Sequence, residues 1–310
     1  MGKIVDVLQV VLPVAAMILL GILARKKRIL SPAGVEDIKS LIVNICLPAV
    51  IFSTFYATEF TGTAVLLCAI MAVFTLGAWW IGGVVQRALH IEQPLASYLC
   101  TTIEGGMMGY ALFILLFGQE NLYHLALFDL GNTVIVFPVL LTSLRLRAQG
   151  AVSGREVVKS LITPINVAIA AGLAVNACGL GRVIHASVVG DVLGSVLSFV
   201  SGPTGALILL VVGFGLEFSD VRWSETLRTV AARMVIFGVC GVLVHRLVTF
   251  LLPSDPLYGF AVIMAFILPP SFVFSAYANG RREESYVGSV LAVYTLLTLV
   301  GYSILAWIAA

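Results

Sequence analysis

Thr102-Ile103-Glu104-Gly105-Gly106-Met107-Met108-Gly109 lies in the middle of an apolar run over residues 94–117, and Leu268-Pro269-Pro270-Ser271 lies within another over 256–279. Each run is long enough to cross a bilayer, which takes about 20 apolar residues, yet each carries residues that a continuous helix rejects. Glu104 stands ten residues into its run, about 15 Å along a helix, which places a carboxyl near the middle of a membrane. Gly105, Gly106 and Gly109 each weaken a helix by about 1 kcal/mol relative to alanine and let the backbone approach a ligand. Pro270 has no N–H to donate and pushes Pro269 out of the helical region. Backbone groups freed where there is no water must find partners, so paired breaks at one depth are expected to line a cavity. A plainer reading, kinks that only accommodate packing, suits one break better than two in corresponding positions. Where two such helices cross, their half-helix N-termini offer free amides and partial positive charge, a seat for an anionic group.

The rest of the chain reads in the same way. Sixty per cent of its 310 residues are hydrophobic and 11% charged, with mean hydropathy +1.07, which excludes an ordinary soluble domain. The pattern predicts an all-α polytopic membrane protein of ten transmembrane helices near 4–24, 37–57, 62–86, 94–117, 121–144, 160–179, 188–216, 228–251, 256–279 and 285–308. Fifteen of the 18 Lys and Arg residues fall on one side, counting Arg222, Arg228 and Arg233 after the seventh span. The positive-inside rule makes that side cytoplasmic and leaves both termini outside. Short loops and the lack of a targeting segment place the chain in a cell (inner, cytoplasmic) membrane. Five spans per half invert the second half relative to the first: residues 1–144 form one repeat, 145–159 a basic cytoplasmic linker, and 160–310 the inverted second repeat. At an offset of 155 residues Pro48 falls on Pro203, and the fourth and ninth spans, both broken, correspond.

Two acids lie too deep to reach water, Glu104 and Asp129, with no basic residue expected at their depth. Each is either neutral, because burial disfavours the charge, or faces a wet cavity and holds a cation. Asn132 shares a helix face with Asp129, and Asn44 enters from the second span. This set suits binding of sodium or passage of a proton. For Asp129 the plainer reading is a hydrogen bond across helices to a serine or threonine. The five cysteines are dispersed without close spacing and read as small buried hydrophobes. No Walker loop, zinc motif, paired-aspartate G-x-G-D or nucleophilic dyad occurs, so an enzyme is not expected, nor a cofactor or metal.

Asn44-Ile45-Cys46-Leu47-Pro48, the Glu104 to Gly109 segment, Gly131-Asn132 to Pro138, and Leu268-Pro269-Pro270-Ser271-Phe272-Val273-Phe274 with Tyr277 resemble the auxin efflux carrier family. That family includes plant auxin transporters and bacterial permeases associated with malate or malonate, and its fold is related to the bile acid:sodium symporters. The resemblance covers essentially the whole chain. It implies two inverted five-helix repeats, a panel and a moving core, an elevator-like motion, and a substrate site where spans 4 and 9 cross. Related carriers also suggest a homodimer. The chain departs from the plant pattern at the crossover, where Glu104 stands in place of asparagine and Ile103 in place of proline, which disfavours auxin itself.

The resulting expectation is an ion-coupled secondary transporter of a small organic anion, with the lipid bilayer and a small-molecule substrate as partners and no nucleic acid. Glu104 and Asp129 would handle the coupling ion, Na+ or H+. Gly105, Gly106, Gly109, Asn132, Asn44, Pro269, Pro270 and Ser271 would bind substrate. The alternatives are a carrier of a cationic or zwitterionic solute that contacts Glu104, and a membrane ligand sensor that does not transport.

Overall fold

The computed structural model describes residues 2–57, 62–149, 162–179, 187–216, 223–278 and 280–309, and every regular element among them is helical. In chain order the helices are α1 (Gly2–Lys26), α2 (Pro32–Leu41), α3 (Leu47–Ala57), α4 (Gly62–Ala88), α5 (Ala96–Leu99), α6 (Tyr110–Phe117) and α7 (Leu122–Ile135). They continue with α8 (Thr142–Gln149), α9 (Pro164–Ala177), α10 (Val188–Ser201), α11 (Thr204–Gly215), α12 (Trp223–Leu251), α13 (Pro256–Ile267) and α14 (Gly280–Ala309). Three helices start on one local device. Ser31, Thr163 and Asp255 each accept a backbone N–H of the first turn, and the proline that follows supplies the first helical residue without an N–H to satisfy.

Alone or joined end to end, these segments give eight described helices long and apolar enough to span a membrane. Apolar side chains cover their outer faces, and Phe199 and Phe250 are 87% and 81% exposed, as lipid-facing residues are. The chain is therefore a polytopic membrane protein. The other two expected spans are shorter. The fourth is cut into the four-residue α5 and the stretch Gly105–Phe117, because residues 102–104 leave the helix. The sixth is helical from Pro164 to Ala177 among the described residues. The expected linker at 145–159 is helical as far as Gln149, and the rest of it lies outside the described residues.

Prolines mark the irregular turns. A π-helical turn, Ile42–Cys46, joins α2 to α3 just before Pro48, and another, Val136–Leu141, contains Pro138. Proline cannot donate to the preceding turn, and a widened turn accommodates the loss. Pro203 separates α10 from α11.

The helices pack in two sets. In one, α1 lies along α11, and α3 packs on α9 and α10. Backbones come close here because the crossings carry glycine: a Cβ on Gly21 would strike Leu210 O and Gly213, and one on Gly213 would strike Ile18 O. Small residues permit this approach in membranes, where van der Waals contact rather than water drives association. In the other set α4, α7, α12, α13 and α14 surround the two broken segments, with Gly131 of α7 set against the Cys68 carbonyl of α4. The middles of the 94–117 and 256–278 segments are buried among these helices, while Leu115 and Ser275 stay exposed, and contacts of α6 with α11 and of α14 with α1 join the two sets.

Candidate functional site

Helix α13 ends at Ile267. Leu268 to Ser271 run extended, and a 3-10 turn, Phe272–Tyr277, follows. In the other segment residues 102–104 leave the helix and a π-helical turn, Gly105–Gly109, leads into α6. The two extended stretches meet. Glu104 N donates to Pro269 O at 2.9 Å, and Ser271 N donates to the buried Thr102 Oγ1 at 3.1 Å. Backbone groups released by the glycines and prolines of one break are satisfied by the other, which allows both breaks to persist away from water.

The Glu104 carboxylate joins the two N-termini. Its Oε1 accepts Met107 N at 3.2 Å, in the first turn before α6. Its Oε2 accepts Phe272 N at 2.6 Å and Ser271 Oγ at 3.2 Å, at the start of the 3-10 turn. One carboxylate thus fills the seat that sequence reasoning left for an anion, and it is 7% exposed.

Asp129, on α7, is 9% exposed, and its Oδ2 accepts Tyr110 Oη at 2.7 Å. The partner across the helices is thus a tyrosine, not the serine or threonine of the plainer reading. Gly105 packs directly on the Asp129 carboxyl. Asn132 Nδ2 lies 3.4 Å from Ile103 O, a long hydrogen bond, and its Oδ1 is buried without a partner. Gly109 faces Leu268, and Pro269 and Pro270 are buried. Of the ten residues named in advance, nine come together at the crossing. Asn44 does not: it is exposed, and its amide turns back to Ser40 O at 2.8 Å and Ser40 Oγ at 3.0 Å.

Sequence reasoning missed Arg233. Counted there among the cytoplasmic cations, with no base expected at the depth of the acids, it is fully buried. Nη1 donates to Leu99 O at 2.9 Å, and Nη2 donates to Thr102 O at 2.6 Å and Leu268 O at 3.0 Å. The guanidinium lies over Phe237 at 3.7 Å and Tyr294 at 4.7 Å from the ring centroids, a cation–π arrangement. Its helix is already formed at Trp223, ahead of the expected 228, which carries Arg233 nearly three turns or more inward. The available signal was an arginine within the apolar stretch 230–238 with an aromatic residue four positions on. Among the described residues no cluster of His, Cys, Asp and Glu suits a metal ion.

No family model matches the chain. It is 23% identical over 314 aligned positions to a protein described as an uncharacterized transporter from Methanothermobacter thermautotrophicus, an alignment covering 94% of this chain and 95% of that protein.

Proposed function

We propose that this protein is a secondary transporter of a small organic anion, a carboxylate by first choice, with its site at the crossing of the 94–117 and 256–278 segments. The observation that carries the reading is the bridging Glu104, whose carboxylate accepts amides from both half-helix N-termini. A substrate carboxylate seeks the same amides and is repelled by Glu104 while that group is charged. Neutralising Glu104 with a cation weakens its hold on the amides and removes the repulsion, so anion entry and cation uptake become one event. Asp129, beside Gly105, is the second acid of the coupling path, and the unpartnered Asn132 Oδ1 offers an acceptor for a substrate donor.

Further support comes from the transporter relative along nearly the whole chain and from the division of the helices. In each half, the first two helical segments lie in one packed set and the last three in the other. That division suits ten spans in two inverted five-helix repeats, 1–144 and 160–310, with the second set moving against the first as an elevator. The auxin efflux carrier resemblance belongs to the same proposal, as do a cytoplasmic-type membrane, both termini outside, a homodimer and no enzymatic role.

Labelled uptake and charge movement in proteoliposomes test the reading, with malonate, malate, indole-acetate, an amine and an amino acid, each with and without Na+ and H+ gradients. Saturable carboxylate uptake that needs a cation gradient is expected. Glu104→Gln should remain folded and lose the ion dependence, and unchanged coupled uptake refutes the role of Glu104. The paired acids Glu104 and Asp129 favour a second reading, a carrier of cationic or zwitterionic solutes, which predicts amine or amino-acid uptake alone. Binding without transport of any probe would indicate a sensor.

A further inference from the structure

The carbonyls that hold Arg233 have a common origin. Leu99 ends α5, Leu268 caps the C-terminus of α13, and Thr102 lies in the unwound stretch between α5 and the Gly105–Gly109 turn. Helix C-termini leave their last carbonyls unpaired and gather partial negative charge. In carriers with broken helices, such carbonyls are the groups that coordinate a coupling metal cation. Here the guanidinium takes them from both breaks at once, while Glu104 takes the amides of both N-termini. The crossing is therefore neutralised at each pole by a side chain of its own. A guanidinium does not give up its proton in proteins, and the Phe237 and Tyr294 rings enclose it, so it cannot make way for an ion.

We propose that Arg233 is a tethered cation occupying the seat a coupling metal ion would take, so that the crossing holds no sodium and coupling falls to proton exchange at Glu104. The cation seat rests on geometry alone; the coupling rests on the transport reading above. Each protonation adds one H+ to a Glu104 oxygen and removes one negative charge, which an entering monoanion, a monocarboxylate or a singly protonated dicarboxylate, restores, so the loaded and empty crossings then carry the same net charge.

The test uses the full chain purified in detergent and its thermal midpoint. Wild type should melt alike in sodium chloride and choline chloride. Arg233→Ala leaves three buried carbonyls without their donor and should melt roughly 6–10 °C lower. Millimolar methylguanidinium or sodium should then restore part of that loss, while neither moves wild type or Arg246→Ala, which removes an exposed arginine. A merely structural arginine predicts the loss without the rescue. Should Arg233→Ala fail to fold, Arg233→Lys keeps a tethered charge and should fold, melting below wild type and indifferent to sodium. Saturable stabilisation of wild type by sodium overturns the proposal, as does an Arg233→Ala protein as stable as wild type or one that no small cation restores. Malonate uptake driven by a proton gradient in sodium-free proteoliposomes is expected, and uptake that requires sodium overturns the coupling. A chain that moves none of the probes but shows the cation rescue refutes the transport reading and upholds the tethered cation.

Discussion

Gly105 and Gly106 are neighbours in sequence, and alanine should have opposite effects at the two positions. A Cβ built on Gly105 runs into Asp129 Cγ and Oδ1, and it meets Asp129 Cβ at 2.9 Å, so rotating the Asp129 side chain does not clear the clash. Either α7 shifts away from the π-helical turn or the Tyr110–Asp129 hydrogen bond is lost. Overpacking a tight site costs about 1–3 kcal/mol, and losing a hydrogen bond to a charged group about 1.5–3 kcal/mol. Gly105→Ala should therefore destabilise by roughly 1–3 kcal/mol, which lowers the thermal midpoint by roughly 2–6 °C in a chain of this size. Gly106 has open space where its Cβ would go, so Gly106→Ala should be neutral or raise stability by up to about 1 kcal/mol through a less flexible unfolded chain. Thermal unfolding of the two variants beside wild type makes the measurement. Equal midpoints for the two variants, or a larger loss at Gly106, would refute the packing of Gly105 against Asp129.

Thr102→Val removes the acceptor of Ser271 N while nearly conserving volume; it should cost about 1–3 kcal/mol, and Thr102→Ser should restore most of that in the same melting experiment. Gly213→Val places a side chain against the Ile18 carbonyl, and cysteine pairs across α1 and α11 should then cross-link more slowly than in the parent, whereas Gly77→Val, with open space around it, should leave the rate unchanged. Thr298 Oγ1 donates to Ile267 O at 2.6 Å, at the end of α13, so Thr298→Val should speed hydrogen exchange in the 256–271 segment; unchanged exchange there would show that this bond does not hold the break. Arg282→Ala removes a solvent-exposed ion pair with Glu92 and a longer one with Glu225 and should change stability by less than about 1 kcal/mol.

The crossing brings opposite charges to opposite poles of one knot of backbone. Glu104 satisfies the amides of Met107 and of Phe272, on the two different segments, while Arg233 satisfies carbonyls on both segments. Removing either group strands hydrogen-bonding partners in a region without water, which is why both sites are placed at the centre of the proposed mechanism. The arrangement also ties α12 to the crossing, since the Arg233 side chain reaches both breaks from that helix. Motion of the broken segments should therefore carry α12 with them.

By itself the sequence determined the class of protein, the approximate ends of its long helices and the places where two of them break. Each of those is local: hydropathy over 20 or so residues measures affinity for lipid, and glycine and proline act on their own turn. It also drew attention to Glu104, Asp129 and Asn132, because polar groups in apolar runs are costly wherever they end up. Only the tertiary structure decided which groups meet. Hydropathy assigns depth but not a partner, so Arg233 read as an edge cation until α12, already helical at Trp223, carried it inward. Asn44 read as a site residue until its amide was seen to close on Ser40 within its own helix. The amides at the crossing read as a vacant anion seat, yet the structure fills them with Glu104. A half-helix terminus is satisfied by whichever charged group the packing brings to it, and that choice depends on contacts more than a hundred residues apart, which no local window of sequence contains.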